Sequence, residues 1–230
     1  MAEVEYGPFG IVGMTGRAGN GVFFRRADGS FGVRRYVTPA NPHTPAQEAV
    51  RRRFGQATRA FHELKADDLA LWEAYAQKHA RHDAATGKTV TPRPLSLFVA
   101  LTTRFLQVNP TGTILVTPPT QPFAGDTITL TAAAGTGDIT FTASAANAAN
   151  VTTELLLQKL PTPNRQPRPD GYRSAGSMTF TKDDLTAIVP AVAGFYAAAF
   201  RFVSEQTGQD TLPTPIPVTG TVTQALRKAA

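Results

Sequence analysis

The chain has 230 residues, 23 Lys and Arg against 17 Asp and Glu for a formal charge of +6, and no cysteine. This excludes a disulfide framework, a cysteine zinc site and a thiol nucleophile. The 42% hydrophobic content is that of a globular protein and excludes wholesale disorder.

The start, Met1-Ala-Glu-Val-Glu-Tyr6, is acidic where a signal peptide is basic. The apolar uncharged run Leu185 to Phe200 is too short to span a bilayer and is broken by Pro190 and Gly194. A soluble protein made in the cytoplasm, without membrane partners, is expected. The charge is uneven: residues 1–110 hold 15 basic and 9 acidic side chains, residues 111–230 eight of each. Residues 1–60 contain nine Arg and no Lys. Arginine forks suit phosphate and carboxylate, so the first half reads as facing nucleic acid, an acidic protein surface, or solvent alone.

In chain order, Gly7, Gly10, Gly13, Gly16 and Gly19 recur every three residues, too briefly for a collagen triple helix. Residues 1–21 are expected to form an extended arm whose glycines admit another backbone closely. Val22–Arg26 and Phe31–Val37 then flank Asp28-Gly29, a hairpin signal. With Asp28-Gly29 as a two-residue loop, Arg26 faces Phe31, Phe24 faces Val33 and Val22 faces Arg35. Thr44 as N-cap, Pro45 at N1 and Gln47 start a helix with the apolar stripe Val50, Phe54, Ala57, Phe61 and Leu64. A second helix from Asp67-Asp68 carries Leu69, Trp72, Ala76 and His79, and a third spans about 96–106. Arg17, Arg25, Arg26, Arg34, Arg35, Arg51, Arg52 and Arg53 are the candidate partner or anion contacts.

Val108 to Thr113 reads as a linker. Beyond it come candidate strands at 113–117, 127–132, 139–143, 153–160, 177–181, 195–203 and 215–222, the spacing of an immunoglobulin-like sandwich. Pro190 and Gly194 ahead of Tyr196 resemble the corner before strand F of fibronectin-type-III-like domains. Tyr196, Ala198, Phe200 and Phe202 share one face of that strand. The Pro-rich segment Pro161–Arg173 is a candidate contact loop presenting Arg165, Arg168 and Arg173. The expected class is α+β: an arm (1–21), a β-hairpin plus three-helix docking module (22–110), and an all-β immunoglobulin/fibronectin-III-like sandwich (111–230).

Catalytic motifs fail on inspection. Gly87-Lys88-Thr89 lacks the upstream Gly of a phosphate-binding loop, since position 82 is His. His79, His82 and Asp83 form no second metal-ligand cluster, and no Gly-x-Ser-x-Gly elbow occurs. No catalytic, cofactor-binding or metal-binding residue and no small-molecule substrate is expected.

Gly16 to Phe23, Asn41 to Gln47 and Trp72 together resemble a group of bacteriophage and prophage proteins with a Gly-x-x-Gly-Asn-x-Val-Phe stretch, an Asn-Pro-x-Thr-x-x-Gln helix start and a Trp helix, often followed by an Ig-like domain. The resemblance covers about residues 7–107. It implies a non-enzymatic virion structural or assembly protein, as capsid decoration, head–tail or tail component, whose partners are copies of itself and other virion proteins. The Leu64-to-Trp72 spacing among basic helices resembles the HMG-box, which implies the alternative of a DNA-binding protein using its Arg-rich half.

Overall fold

The computed structural model describes residues 2–7, 10–26, 30–38, 40–41, 43–83 and 87–223. The architecture is α+β, and the chain divides into two compact units, Met1–Pro45 and Ala46–Ala230. That division falls well ahead of the composition shift at Pro110.

The first unit is a four-stranded antiparallel meander of β1 (Ala2–Gly7), β2 (Gly10–Ala18), β3 (Gly21–Arg25) and β4 (Phe31–Arg35), in sequence order. The glycine run therefore lies in paired strands rather than in an unpaired arm. Within the run, Gly13 has a packing reason: it is buried, and a Cβ there would lie 2.6 Å from the Phe31 ring. The Phe24 ring similarly covers Gly32 across the β3–β4 pair.

The hairpin register differs by one residue from that expected. Arg25 pairs with Phe31, Phe24 with Gly32, Phe23 with Val33, Val22 with Arg34 and Gly21 with Arg35. The Arg26 amide donates to the Ser30 carbonyl at 2.8 Å, so the connection is longer than a two-residue loop. Asp28-Gly29 itself lies outside the described residues. A one-residue slip exchanges the partners of every side chain in the pair. The buried positions described in this unit are the glycines Gly13 and Gly32, while Phe24, Phe31, Val33, Tyr36 and Val37 are all exposed.

The second unit begins with α1 (Pro45–His62), α2 (Ala66–Lys78) and α3 (Pro94–Val108), with a small hairpin of β5 (Arg81–Asp83) and β6 (Lys88–Val90) between the last two. The helices meet around Ala57, Trp72, Phe98 and Val99, joined by Phe61 and Leu64. Phe98 receives two edge-on rings, Trp72 at 5.1 Å and Phe61 at 5.4 Å. Only the C-terminal half of the α1 stripe is used, since Val50 and Phe54 are exposed. Lys65 stands at the N-cap of α2 without a side-chain cap bond, leaving Asp67 and Asp68 to complement the helix dipole.

Two four-stranded sheets follow. One has the order β11 (Thr186–Pro190), β8 (Asp138–Ala143), β7 (Leu130–Ala134), β14 (Val218–Thr219). The other has the order β10 (Arg173–Met178), β9 (Val151–Leu160), β12 (Phe195–Ser204), β13 (Thr214–Ile216). They share one apolar core built from Ile139, Phe141 and Val189 on one side and Leu155, Ala198 and Phe200 on the other. Asp126 pins the entry to this core. Burial opposes its charge, but hydrogen bonds from the Ala148 and Thr127 amides and from Asn147 outweigh burial and hold its carboxyl below the usual range.

Two expectations about strands are corrected. Residues 113–117 form no strand, because Ile114 packs into the helical cluster and the Val116 carbonyl accepts from Trp72 Nε1 at 2.7 Å. For the same reason the stretch 108–113 is no free linker. Conversely, β11 was not expected. Its Ala187 and Val189 point inward and Ile188 outward, and it tolerates Pro190 because it is an edge strand.

The Thr207-Gly208 turn, between the expected strands 195–203 and 215–222, lies directly against α3. Gly208 has φ 71°, and a Cβ there would sit 2.1 Å from the Leu101 carbonyl oxygen and 2.9 Å from the Phe105 amide nitrogen. Backbone on backbone cannot yield as a flexible side chain does, so Gly208→Ala is expected to destabilise this unit by about 2 kcal/mol or more. Gly176→Ala, where the added carbon meets nothing within 4 Å, is the control. Urea midpoints at constant slope check this, and equal midpoints for the two variants would refute it.

Candidate functional site

The arginines of the first unit sit on short strands of a sheet whose buried positions, among those described, are glycines. Arg17, on β2, lays its guanidinium 3.7 Å over the Tyr36 ring and donates to the Gly19 carbonyl at 3.4 Å. Arg25 ends β3, 4.0 Å from Glu5 on β1 and 5.6 Å from the Phe31 ring. Arg26 reaches Ser30 Oγ at 3.5 Å across the turn. Arg34 and Arg35 close β4 at the edge of the sheet, both exposed. The register puts Arg17 and Arg34 on one face of the sheet with Tyr36, a partner the sequence reading missed, and Arg25 and Arg35 on the other. Of the glycines, Gly7 and Gly10 pair at the β1–β2 turn, Gly13 lies under Phe31, and Gly16 and Gly19 adopt positive φ.

Arg51, Arg52 and Arg53 lie on α1 in the second unit, where Arg52 and Arg53 line one cleft with Leu106 and Pro110 at the end of α3. Arg165, Arg168 and Arg173 belong to the connection from β9 to β10. Arg173 is turned back on that connection, donating to the carbonyls of Asp170 and Tyr172 at 3.0 and 3.1 Å. Arg165 remains exposed and lines a groove with Tyr172 and Tyr196, and burial raises the Tyr172 hydroxyl pKa. Neither His79 nor His82 belongs to a metal-holding group among the described residues. Among the described residues no group of three or more His, Asp and Glu is placed to hold a metal, and no helix is long and apolar enough to cross a membrane.

The densest polar cluster lies between α3 and the outer face of the β9–β12 pair. Glu154 on β9 is 2% exposed and stands opposite Arg201 on β12. Arg201 Nε donates to Glu154 at 2.6 Å and its Nη1 to Asp210 at 2.7 Å. Asp210 also accepts from Arg104 Nη1 at 2.6 Å, and Glu154 from Gln107 Nε2 at 2.9 Å. Two cations face two anions, and both α3 side chains are used. Among the described residues every buried side-chain nitrogen and oxygen has a hydrogen-bond partner, so this cluster is a closed clamp. The sequence signal was a lone carboxylate in the apolar run of β9 and a lone Arg in that of β12, each needing a buried counter-charge.

Burial disfavours the Glu154 charge, but hydrogen bonds from Arg201 and Ser174, the Arg201 charge and the Gln107 amide outweigh it and hold its carboxyl below the ordinary value. The stability this provides is complete above the unfolded pKa, about 4.3, and is lost as pH falls through the lower folded value. Urea midpoints are therefore expected to drop as pH falls below about 4, more steeply in the native chain than in Glu154→Gln. The same substitution is expected to cost about 2–4 kcal/mol at pH 7 by leaving Arg201 half-paired. Parallel midpoint-against-pH curves for the two proteins would contradict this assignment. No family model, no curated protein and no solved structure matches the chain.

Proposed function

We propose that this is a non-enzymatic virion structural or assembly protein that docks through its N-terminal sheet and displays an immunoglobulin-like β-sandwich. The observation that carries the docking role is the first unit: four strands with Phe24, Phe31, Val33, Tyr36 and Val37 exposed and no buried side chain larger than glycine among those described. A sheet gains stability by covering an apolar face, and a neighbouring subunit supplies that cover in an assembly. Its arginines favour an acidic protein surface.

The strand order supports the display role. Strands β7, β8 and β11 share one sheet and β10, β9, β12 and β13 the other, the arrangement of fibronectin-type-III-like and related immunoglobulin-like domains. β14 then crosses to run parallel beside β7. Tyr196, at the start of β12, donates its hydroxyl to the Val192 carbonyl at 2.8 Å. This bond resembles the tyrosine corner of such sandwiches and supports the corner read at Pro190 and Gly194.

Light scattering after size exclusion, with hydrogen exchange on the full chain, tests the proposal. The expected result is a mass above that of the monomer, with β1–β4 amides protected only in the associated form. A monomer at all concentrations whose sheet amides are fully protected would overturn it. Retention on duplex DNA at about 50 mM salt, lost steeply as salt rises, would instead favour the DNA-binding reading.

A further inference from the structure

The four-stranded sheet has two free edges of opposite charge. Its order, β1-β2-β3-β4, puts β1 at one edge and β4 at the other. β1 carries Glu3 and Glu5 and no basic residue, whereas β4 carries Arg34 and Arg35 and no acidic one. An edge strand turns alternate amides and carbonyls away from its single neighbour, a template for a further strand.

We propose that β4 of one copy pairs with β1 of the next, so that the sheet continues from subunit to subunit. This rests on the assembly reading above and names the partner: a second copy of this chain. In a continued meander the new β1 runs antiparallel to β4, as every neighbouring pair in the sheet already does. The register runs level through Ala2, Gly16, Phe23 and Val33. Glu3 lies one residue to one side of that line and Arg34 one residue to the other. A two-residue stagger between copies sets Glu3 level with Arg34 in the ladder, and closing sheets require a stagger. Glu5 is 4.0 Å from Arg25 in its own sheet, so Glu3 with Arg34 and Arg35 carries the complementarity. Such an interface is heterologous: it closes into a ring, which removes both edges, or extends as a filament. Two copies of the same edge meeting each other would oppose like charges, so isologous pairing is disfavoured.

The test uses the full chain in three forms. One carries Glu3→Arg and Glu5→Arg, the second Arg34→Glu and Arg35→Glu, and the third all four substitutions. Light scattering is recorded for each and for an equimolar mixture of the first two. The expected result is self-association of the native chain, weakened about tenfold or more in each single-edge variant by like charges across the interface. Association returns in the four-substitution chain and in the mixture, where acidic and basic edges again meet, so a merely misfolded variant is told apart. If the native chain associates and the single-edge variants associate equally well, assembly uses another surface: the edge pairing is overturned and the assembly reading stands. If the native chain associates and neither the mixture nor the fully swapped chain recovers, the edge pairing is likewise overturned. A native chain monomeric at every concentration overturns the edge pairing, and with its sheet amides fully protected it overturns the assembly reading as well.

Discussion

The second unit depends on how one buried carboxylate is neutralised. Glu154 sits in the middle of β9, at a position a leucine would fill without electrostatic cost, and it is tolerated because Arg201 stands across the strand pair at 2.6 Å. Arg201 in turn needs Asp210, Asp210 takes a second cation from Arg104, and Gln107 caps the remaining Glu154 oxygen. An ion pair between two strands alone would staple a sheet. Because Arg104 and Gln107 belong to α3, this one fixes where a helix lies on the sheet. Buried ion pairs add little net stability over a hydrophobic equivalent. What the cluster provides is geometry: α3 has one position in which all four charges are matched.

That position has consequences along the chain. Seating α3 brings the Leu101 carbonyl against the Thr207-Gly208 turn, which only a residue without a side chain tolerates there. Trp72 of α2 packs on Phe98 of α3 and donates to the Val116 carbonyl, so α2 and the stretch after α3 are drawn into the same body. The helices therefore fold with the strands that follow them and not as a module apart from them.

Much of this was legible in the sequence, and the failures have identifiable causes. The helix start at Pro45 follows from its cap and N1 proline, and the buried positions Ala57, Trp72 and Phe98 from 3.6-residue periodicity. The alternation of Ala198, Phe200 and Phe202 gave the core face of β12. What periodicity cannot show is which neighbour uses a pattern. Residues 113–117 alternate like a strand, yet Ile114 and Val116 serve the helices. The composition change at Pro110 marks where helices give way to strands, which is a different matter from where one compact unit ends. The triplet glycines were visible, but the reason for Gly13, the Phe31 ring of β4 lying across β2, needs the sheet order. Glu154 and Arg201 could have been paired as two lone charges in apolar strands. Asp210 and Arg104 could not, since nothing local to either points to the other.

The two halves use charge in opposite ways, and this bears on the proposed role. In the clamp each charge is matched and the Glu154 carboxylate is buried, so salt reaches that pairing poorly and its strength is set by geometry. In the N-terminal sheet Arg25, Arg34, Arg35 and Glu5 are exposed, where single pairs are weak and screened. An exposed, charged docking surface gives reversible, orientation-selective association, and a buried, neutral clamp gives a body that stays folded while that association forms and breaks. A protein whose subunits must find one another before locking into a particle benefits from that division. It also accounts for the arithmetic of the sequence: buried ions have to balance, so the charge excess of +6 can reside only on surfaces that are free to meet something else.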